Sequence, residues 1–274
     1  MIIDGKKIAE DLKISFLKEF SLLKNVPILA IISVGEDPAS EQFVRIKKRF
    51  AESVGIKVEE ILFPDSVSLE TLLEAVEKLN SREDIGGIVV QLPLPKNIDR
   101  QVILDAVSAK KDIDMLSTSM FQMFKKGETE ILPPVIGAIA EILKREGSGL
   151  ELKKAVVVGK GILVGVPATI WLEKKGLEVK VLDRSVPDIS EYTKEADILV
   201  LGAGSPYLIK PEMIKEGVAL FDAGTSELTD KIVGDADPLC AEKCSIFTPV
   251  PRGIGPLTVA MIFKNLLELK KKAK

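Results

Sequence analysis

Between Asp4 and Lys24, apolar residues at Ile8, Leu12, Phe16, Phe20 and Leu23 fall on one helical face, which predicts an amphipathic helix. The period then changes. Ile28 to Val34 is a short β-branched run between Pro27 and Gly35, the pattern of a buried strand. Asp37-Pro38-Ala39-Ser40 opens a helix that Gly55 stops after about Ser53. Ile56 to Phe63 reads as a second strand, and Ser68 begins a helix to about Leu79. Gly87 to Gln91 reads as a third strand, closed by Leu92-Pro93-Leu94-Pro95, and Asp99 begins another short helix. Strand–helix units in succession predict a parallel or mostly parallel sheet.

Asp112 to Pro134 shows no clear period and carries Gly127, Pro133 and Pro134, so it reads as an irregular crossing between domains. A second series follows. Val135 to Glu146 is a predicted helix with its stop at Gly147-Ser148-Gly149. Ala155 to Val158 is a predicted strand, Val166 to Lys175 a helix ending at Gly176, and Glu178 to Leu182, Ile198 to Leu201 and Val218 to Phe221 are strands. Pro256 to Lys272 is a long final helix whose basic last turn suits the helix dipole. The expected fold is therefore α/β, with an N-terminal lobe around a parallel sheet and a Rossmann-like second lobe.

Composition narrows the chemistry. The chain has 274 residues, 46% apolar and 29% charged, enough for two modest domains with real cores. A net charge of −3 argues against nucleic acid or an anionic membrane as the main partner. The longest apolar runs fall far short of the ~20 residues a membrane span needs, and the first residues show no signal peptide, so a cytoplasmic protein is expected. There is no histidine at all. That excludes a Ser-His-Asp triad, a Cys-His dyad and any imidazole zinc site. Proton transfer falls to Lys, Asp, Glu, Tyr, Cys or water. Cys240 and Cys244 are too few for a thiolate zinc site; they read as two buried thiols, with one disulfide as the alternative.

In the second half, Val156-Val157-Val158-Gly159-Lys160-Gly161 followed by Gly165 is strand, glycine turn and helix start. Such a turn lets backbone approach a pyrophosphate, which the helix N-terminus attracts. Asp183 lies 22 residues after Gly161, where an acid often meets an adenosine ribose. Arg184 and Ser185 follow, and an Arg there suits a ribose phosphate. These cues conflict on NAD against NADP. Gly202-Ala203-Gly204-Ser205 and Asp222-Ala223-Gly224-Thr225 are two more glycine-rich strand ends, and together the three turns point to a cofactor cleft. In the first half, Phe43 and Lys47 share a helix face, although Lys47 sits among Arg45, Lys48 and Arg49 as on a solvated basic face. Gln91 ends a buried strand and needs a partner. Asp112 and Asp114 are loop acids, a type usually solvated.

Several motifs occur together in order: Gly35-Glu36-Asp37-Pro38-Ala39-Ser40, Val90-Gln91-Leu92-Pro93-Leu94-Pro95, Lys111-Asp112-Ile113-Asp114, Gly234-Asp235-Ala236-Asp237 and Thr248-Pro249-Val250-Pro251-Arg252-Gly253-Ile254-Gly255-Pro256. With them the chain resembles, almost end to end, the bifunctional methylenetetrahydrofolate dehydrogenase/cyclohydrolase family. The resemblance implies NADP-linked oxidation of methylenetetrahydrofolate to the methenyl form, then hydrolysis to 10-formyltetrahydrofolate. It assigns Lys47 as catalytic lysine, Gln91 as its neighbour and Asp114 as the acid that holds the pterin. It implies that Phe43, Val44, Pro93, Pro251, Gly253 and Ile254 bind the folate, and that Gly159, Lys160, Gly161, Arg184, Ser185 and Thr225 bind NADP, with NAD as the alternative through Asp183. It also implies residues 1–134 plus 256–274 as the folate domain, 135–255 as the nucleotide domain, and a homodimer through the nucleotide lobes. The chain departs from the family pattern at Phe43, where the family has tyrosine, at Leu132-Pro133-Pro134-Val135, at Lys160, and at Met115 and Arg252, both in glycine positions. Two rival readings are a shikimate-dehydrogenase type of enzyme and a catalytically silent NADP- or folate-binding protein.

Overall fold

The computed structural model describes residues 1–147, 150–229 and 231–272. Ser148 and Gly149 of the expected helix stop, and the last two residues of the terminal segment, lie outside the described residues. The chain forms two compact units: Glu10–Pro134 with the chain from Val259 onward, and Met1–Ala9 with Val135–Thr258. The first nine residues thus join the unit of the second half, not the one that follows them. The cause is backbone pairing, since Ile3 N donates to Phe247 O at 2.9 Å and Phe247 N to Met1 O at 2.9 Å.

After α1 (Gly5–Ser21), the first unit contains β1 (Ile28–Val34), α2 (Pro38–Ser53), β2 (Lys57–Phe63), α3 (Leu69–Ser81), β3 (Ile85–Val90), α4 (Arg100–Ala106) and α5 (Thr118–Lys126). The sheet is parallel in the order β2-β1-β3. β1 lies in the middle and is buried almost throughout, as its run Ile28-Leu29-Ala30-Ile31-Ile32 requires. Side-chain caps start the helices: Asp37 accepts from Ser40 N, Ser68 from Thr71 N, and Asp99 from Gln101 N. α5 occupies a segment expected to be irregular. Ser117 caps it by accepting from Met120 N, and Gly127 at φ 79° ends it. These two punctuation marks are legible; nine residues are too few for a convincing period.

α6 (Pro134–Glu146) leads into the second unit, with β4 (Lys154–Val158), α7 (Gly165–Lys174), β5 (Glu178–Leu182), the single turn α8 (Ser190–Thr193), β6 (Ile198–Leu201), β7 (Ala219–Asp222), the hairpin β8 (Ser226–Leu228) and β9 (Lys231–Val233), and β10 (Ile246–Phe247). A second parallel sheet has the order β5-β4-β6-β7-β10. Chain order reverses between β4 and β6, and a doubly wound sheet presents its ligand crevice at such a reversal. Cys240 and Cys244 are free and buried, and burial pushes their thiols up to about 11 and about 12. They are unreactive packing groups.

The last helix, α9 (Ile254–Lys272), brings Phe263 against Phe50 of α2, ring centroids 4.8 Å apart. Its Asn265, 4% exposed, donates to Ile113 O and Leu132 O, each at 2.9 Å. One amide thus holds the loop that carries Asp114. Asn265→Ala leaves both carbonyls unpaired, and should lower unfolding free energy by ~1–3 kcal/mol. Equilibrium denaturation in urea measures the loss.

Candidate active site

Within the first unit, three segments far apart in sequence converge at the C-terminal end of the parallel sheet. Gln91 directly follows β3, and its N–H extends the ladder by donating to Ile32 O at 2.8 Å. Its side chain, 7% exposed, is held from both ends: Nε2 donates to Leu92 O and Oε1 accepts from Lys47 Nζ, each at 2.7 Å. Lys47 comes from α2, where Arg45 and Arg49 are exposed but Lys47 is half-buried. The partner expected for Gln91 is therefore Lys47, while its neighbour Lys48, also half-buried, pairs with Glu60.

Asp114 is brought in by the loop after α4. Ile88 N of β3 donates to Lys111 O at 2.8 Å, so this loop runs beside the strand as one more parallel bridge. Ile113 and Leu266 crowd Gly87: a Cβ there would lie 2.8 Å from Ile113 and 3.0 Å from Leu266. Lys111 Nζ closes the end of α3 by donating to the carbonyls of Leu79, Asn80 and Arg82 at 2.9, 2.7 and 2.6 Å. Asp112 is buried rather than solvated, and accepts from Leu116 N at 3.3 Å and Ser117 N at 2.8 Å. The loop is thus fixed on several sides.

These placements perturb the charges. Burial pushes the Lys47 amine below the ordinary lysine value, and Asp114 pulls the other way. Burial pushes Asp114 up to about 6, with Lys47 opposing it and Asp112 adding to it. A lysine whose charge burial disfavours, beside a carboxylate whose charge burial also disfavours, is a pair suited to exchange protons. Phe43, 46% exposed, precedes Lys47 by one helical turn, and Val44 is buried. Pro93 is exposed directly after the strand end. Met115, buried, has φ 61°, and Arg252 has φ 86°. Both fill glycine positions of the family pattern and keep a backbone that glycine takes more easily.

In the second unit, the turn after β4 faces the turn after β6 across the sheet's reversal point. Gly159 has φ 106°, and a Cβ on it would sit 2.4 Å from Gly202 O, so only glycine lets the two turns approach this closely. A Cβ on Gly161 would meet nothing within 4 Å, leaving bare backbone before open space. α7 starts without a side-chain cap. In its first turn Val166 N donates to Gly161 O at 3.0 Å and Pro167 has no N–H, so it is the open backbone of the glycine turn at the positive end of the helix that fits a pyrophosphate. Lys160 Nζ lies 2.5 Å from Asp183 Oδ2, while Ser185 donates to Asp183 Oδ1 through N at 2.9 Å and Oγ at 2.5 Å. Arg184 and Thr225 are exposed. Gly253 N donates to Pro249 O at 2.7 Å in the turn that also carries Pro251 and leads to Ile254.

Two buried acids here escape sequence reasoning. Asp235, fully buried, accepts from Ala203 N at 2.6 Å, Gly204 N at 3.2 Å and Ser205 N at 2.7 Å, and so shapes the turn after β6. Asp222, at the end of β7, accepts from Gly224 N at 3.0 Å and Ala236 N at 2.8 Å. Burial and the charge of Asp235 push Asp222 up to about 7. The motif Gly234-Asp235-Ala236-Asp237 marks the place of Asp235, but the N–H groups of Ala203, Gly204 and Ser205 that Asp235 serves, and of Ala236 that Asp222 serves, lie too far away in sequence for a local pattern to show.

Comparisons with known proteins agree across both units. Residues 3–114 match the family model for the tetrahydrofolate dehydrogenase/cyclohydrolase catalytic domain. Residues 133–274 match the NAD(P)-binding domain of the same family. The bifunctional protein FolD of Halothermothrix orenii is 39% identical over 278 residues, covering 98% of each chain. The FolD crystal structure from Campylobacter jejuni is 34% identical with a TM-score of 0.95, covering 100% of this chain and 99% of that one. The Trypanosoma brucei enzyme, solved with NADP cofactor and an inhibitor, is 32% identical with a TM-score of 0.95, covering 100% and 98%.

The pairing of Lys47 with Asp114 has a direct spectroscopic consequence. Lys47 should titrate below the ordinary lysine value of 10.5, since burial disfavours its charge. Asp114→Asn removes the one charge that favours the ammonium, so the titration should move lower still. Carbon-13 NMR of reductively methylated lysines, with Lys47→Met to assign the signal, reads both values.

Proposed function

The chain belongs to the tetrahydrofolate dehydrogenase/cyclohydrolase family, and from that premise we propose that it oxidises methylenetetrahydrofolate to methenyltetrahydrofolate with NADP and hydrolyses the product to 10-formyltetrahydrofolate. The observation that carries the proposal is the Lys47 amine, half-buried, held by Gln91 at 2.7 Å beside Asp114. Family membership of both halves disfavours the shikimate-dehydrogenase reading.

For hydrolysis, water must add to the methenyl carbon of a cationic substrate. The neutral Lys47 amine keeps its lone pair free while one of its N–H bonds points at Gln91 Oε1. It takes a proton as the water oxygen bonds to carbon. The C–N5 bond then breaks, N5 gains a proton, and the formyl group stays on N10, with one proton released overall. Asp114 accepts N–H bonds from the pterin and so aligns the carbon with Lys47. Burial shifts the amine toward its neutral form against the pull of Asp114, and a cationic substrate arriving beside it favours that form further. Phe43 offers its ring to the folate without the hydroxyl of the family tyrosine, with Val44 and Pro93 beside it in the same unit; the family resemblance also assigns Pro251, Gly253 and Ile254 of the second unit to folate binding.

NADP, when bound, accepts the hydride from the methylene bridge. The residues proposed to hold it are Gly159 and Gly161 at the pyrophosphate, Lys160, Arg184 and Ser185 at the ribose phosphate, and Thr225 at the turn after β7. The solved NADP complex of the Trypanosoma brucei relative supports this choice. The resemblance supports a homodimer through the nucleotide-binding unit. Among the described residues no helix is long and apolar enough to cross a membrane. Two free cysteines suit the reducing cytoplasm, where we place the enzyme.

Lys47→Met should separate the activities. Hydrolysis should fall by the ~10²–10⁴-fold that general acid–base help is worth. Hydride transfer needs no such base and should survive, so methenyltetrahydrofolate should accumulate in a stopped-flow absorbance trace. Phe43→Tyr, which restores a hydroxyl one turn from Lys47, should hydrolyse at least as fast as the parent. A silent binding protein would show neither activity. The cofactor assignment predicts tighter binding of NADP than of NAD, with Arg184→Ala narrowing the gap, each charge-assisted bond contributing roughly 1.5–3 kcal/mol. Fluorescence titration with both nucleotides measures it.

A further inference from the structure

Asp183 directly follows β5, beside the glycine turn, where an acid in a dinucleotide fold accepts from ribose hydroxyls and repels a ribose phosphate. In this chain its carboxylate is already engaged. Lys160 Nζ lies 2.5 Å from Oδ2, and Ser185 donates twice to Oδ1, at 2.9 and 2.5 Å. The acid is held well below the ordinary carboxylate range, first by Lys160 and then by Ser185. Both members are accessible, with side-chain exposures of 56% for Lys160 and 31% for Asp183, so a ligand can reach either one. Arg184, between Asp183 and Ser185, is exposed and has no side-chain partner among the described residues.

This arrangement has consequences for a dinucleotide that carries a ribose phosphate. Such a phosphate meets Arg184 unopposed but must compete with Asp183 for Lys160. A nucleotide without the phosphate meets an acid whose Oδ1 is occupied by Ser185 and whose Oδ2 is shared with Lys160. Resting on the NADP reading above, we propose that Asp183 is a specificity-determining residue that competes with the ribose phosphate for Lys160, and so holds the preference for NADP over NAD below what Lys160 and Arg184 could deliver. The pair Lys160–Asp183 then sets the ratio of the two affinities, with each partner acting in the opposite direction.

Opposite signs make the test sharp. Calorimetric titration of the full chain with NADP and with NAD gives the ratio of dissociation constants without reference to turnover. Asp183→Asn should raise the preference for NADP about tenfold, the scale of one charge-assisted hydrogen bond, and should do so by tightening NADP. Lys160→Ala should lower the preference by about tenfold or more, because Asp183 then faces the phosphate uncompensated. Thermal melts of both variants should match the parent, since both side chains are at the surface. An unchanged or lowered preference in Asp183→Asn overturns the proposal. So does a raised preference that comes only from weaker NAD, which would make Asp183 an ordinary ribose ligand. A parent protein that binds NADP while Asp183→Asn fails in this way leaves the NADP reading standing; a parent that binds neither nucleotide overturns both.

Discussion

A lysine amine taken out of water must find a partner or lose its proton, and here it does some of each. The hydrogen bond from Lys47 to Gln91 is the contact on which the rest of the first unit is arranged. Gln91 can hold the amine because its backbone continues β3 by donating to Ile32 O, and its own amide is pinned by Leu92 O. The parallel sheet makes this geometry possible. It ends its strands on one side, so α2, the end of β3 and the loop after α4 can each deliver one chemical group to the same place. Asn265, Lys111 and Asp112 make no chemistry themselves. Lys111 ties the loop to the end of α3, and Asp112 and Asn265 satisfy its backbone groups, so that Asp114 is left over to act.

The second unit solves a different problem with the same sheet type. A pyrophosphate needs bare backbone and positive potential, and both are available where β4 and β6 part. The turn after β6 has no helix immediately behind it to fix its N–H groups. Asp235 takes that role by accepting from three successive residues, and Asp222 does the same for the segment that carries Asp235. Two carboxylates buried this close would repel if both were charged. The upward push on Asp222 relieves that, and its backbone donors keep it in place.

Much of this was legible because hydrophobic period and punctuation agreed. β1 and β6 coincide with the apolar runs that predict them, since each is buried on both faces, while the edge strand β5 follows an alternation in which Glu178 and Lys180 are exposed. The hairpin β8–β9 and β10 were not visible, because two or three residues carry no period. α5 was hidden by length despite clear caps. The site was only partly readable. Gln91 announced a missing partner by its position, but nothing in the sequence distinguished Lys47 from Arg45 and Arg49 except the family resemblance. Burial made that distinction, and burial depends on the angle of α2 to the sheet. Asp112 and Asp114 look alike as letters. One folds the loop and the other faces Lys47, a difference set by Ser117 and by the bridge from Ile88. Asn265 and Asp235 serve backbone groups far away in sequence, which no local pattern can show.

In the proposed mechanism Lys47 and Asp114 hold the folate so that its one-carbon bridge meets the lysine amine. A crystal structure of the full chain with a stable analogue of methenyltetrahydrofolate tests it most directly. The account predicts the pterin N–H groups on Asp114 and the bridge carbon within one water molecule of Lys47 Nζ. A pterin bound away from Asp114, or a bridge carbon beyond such reach of Lys47, would contradict it.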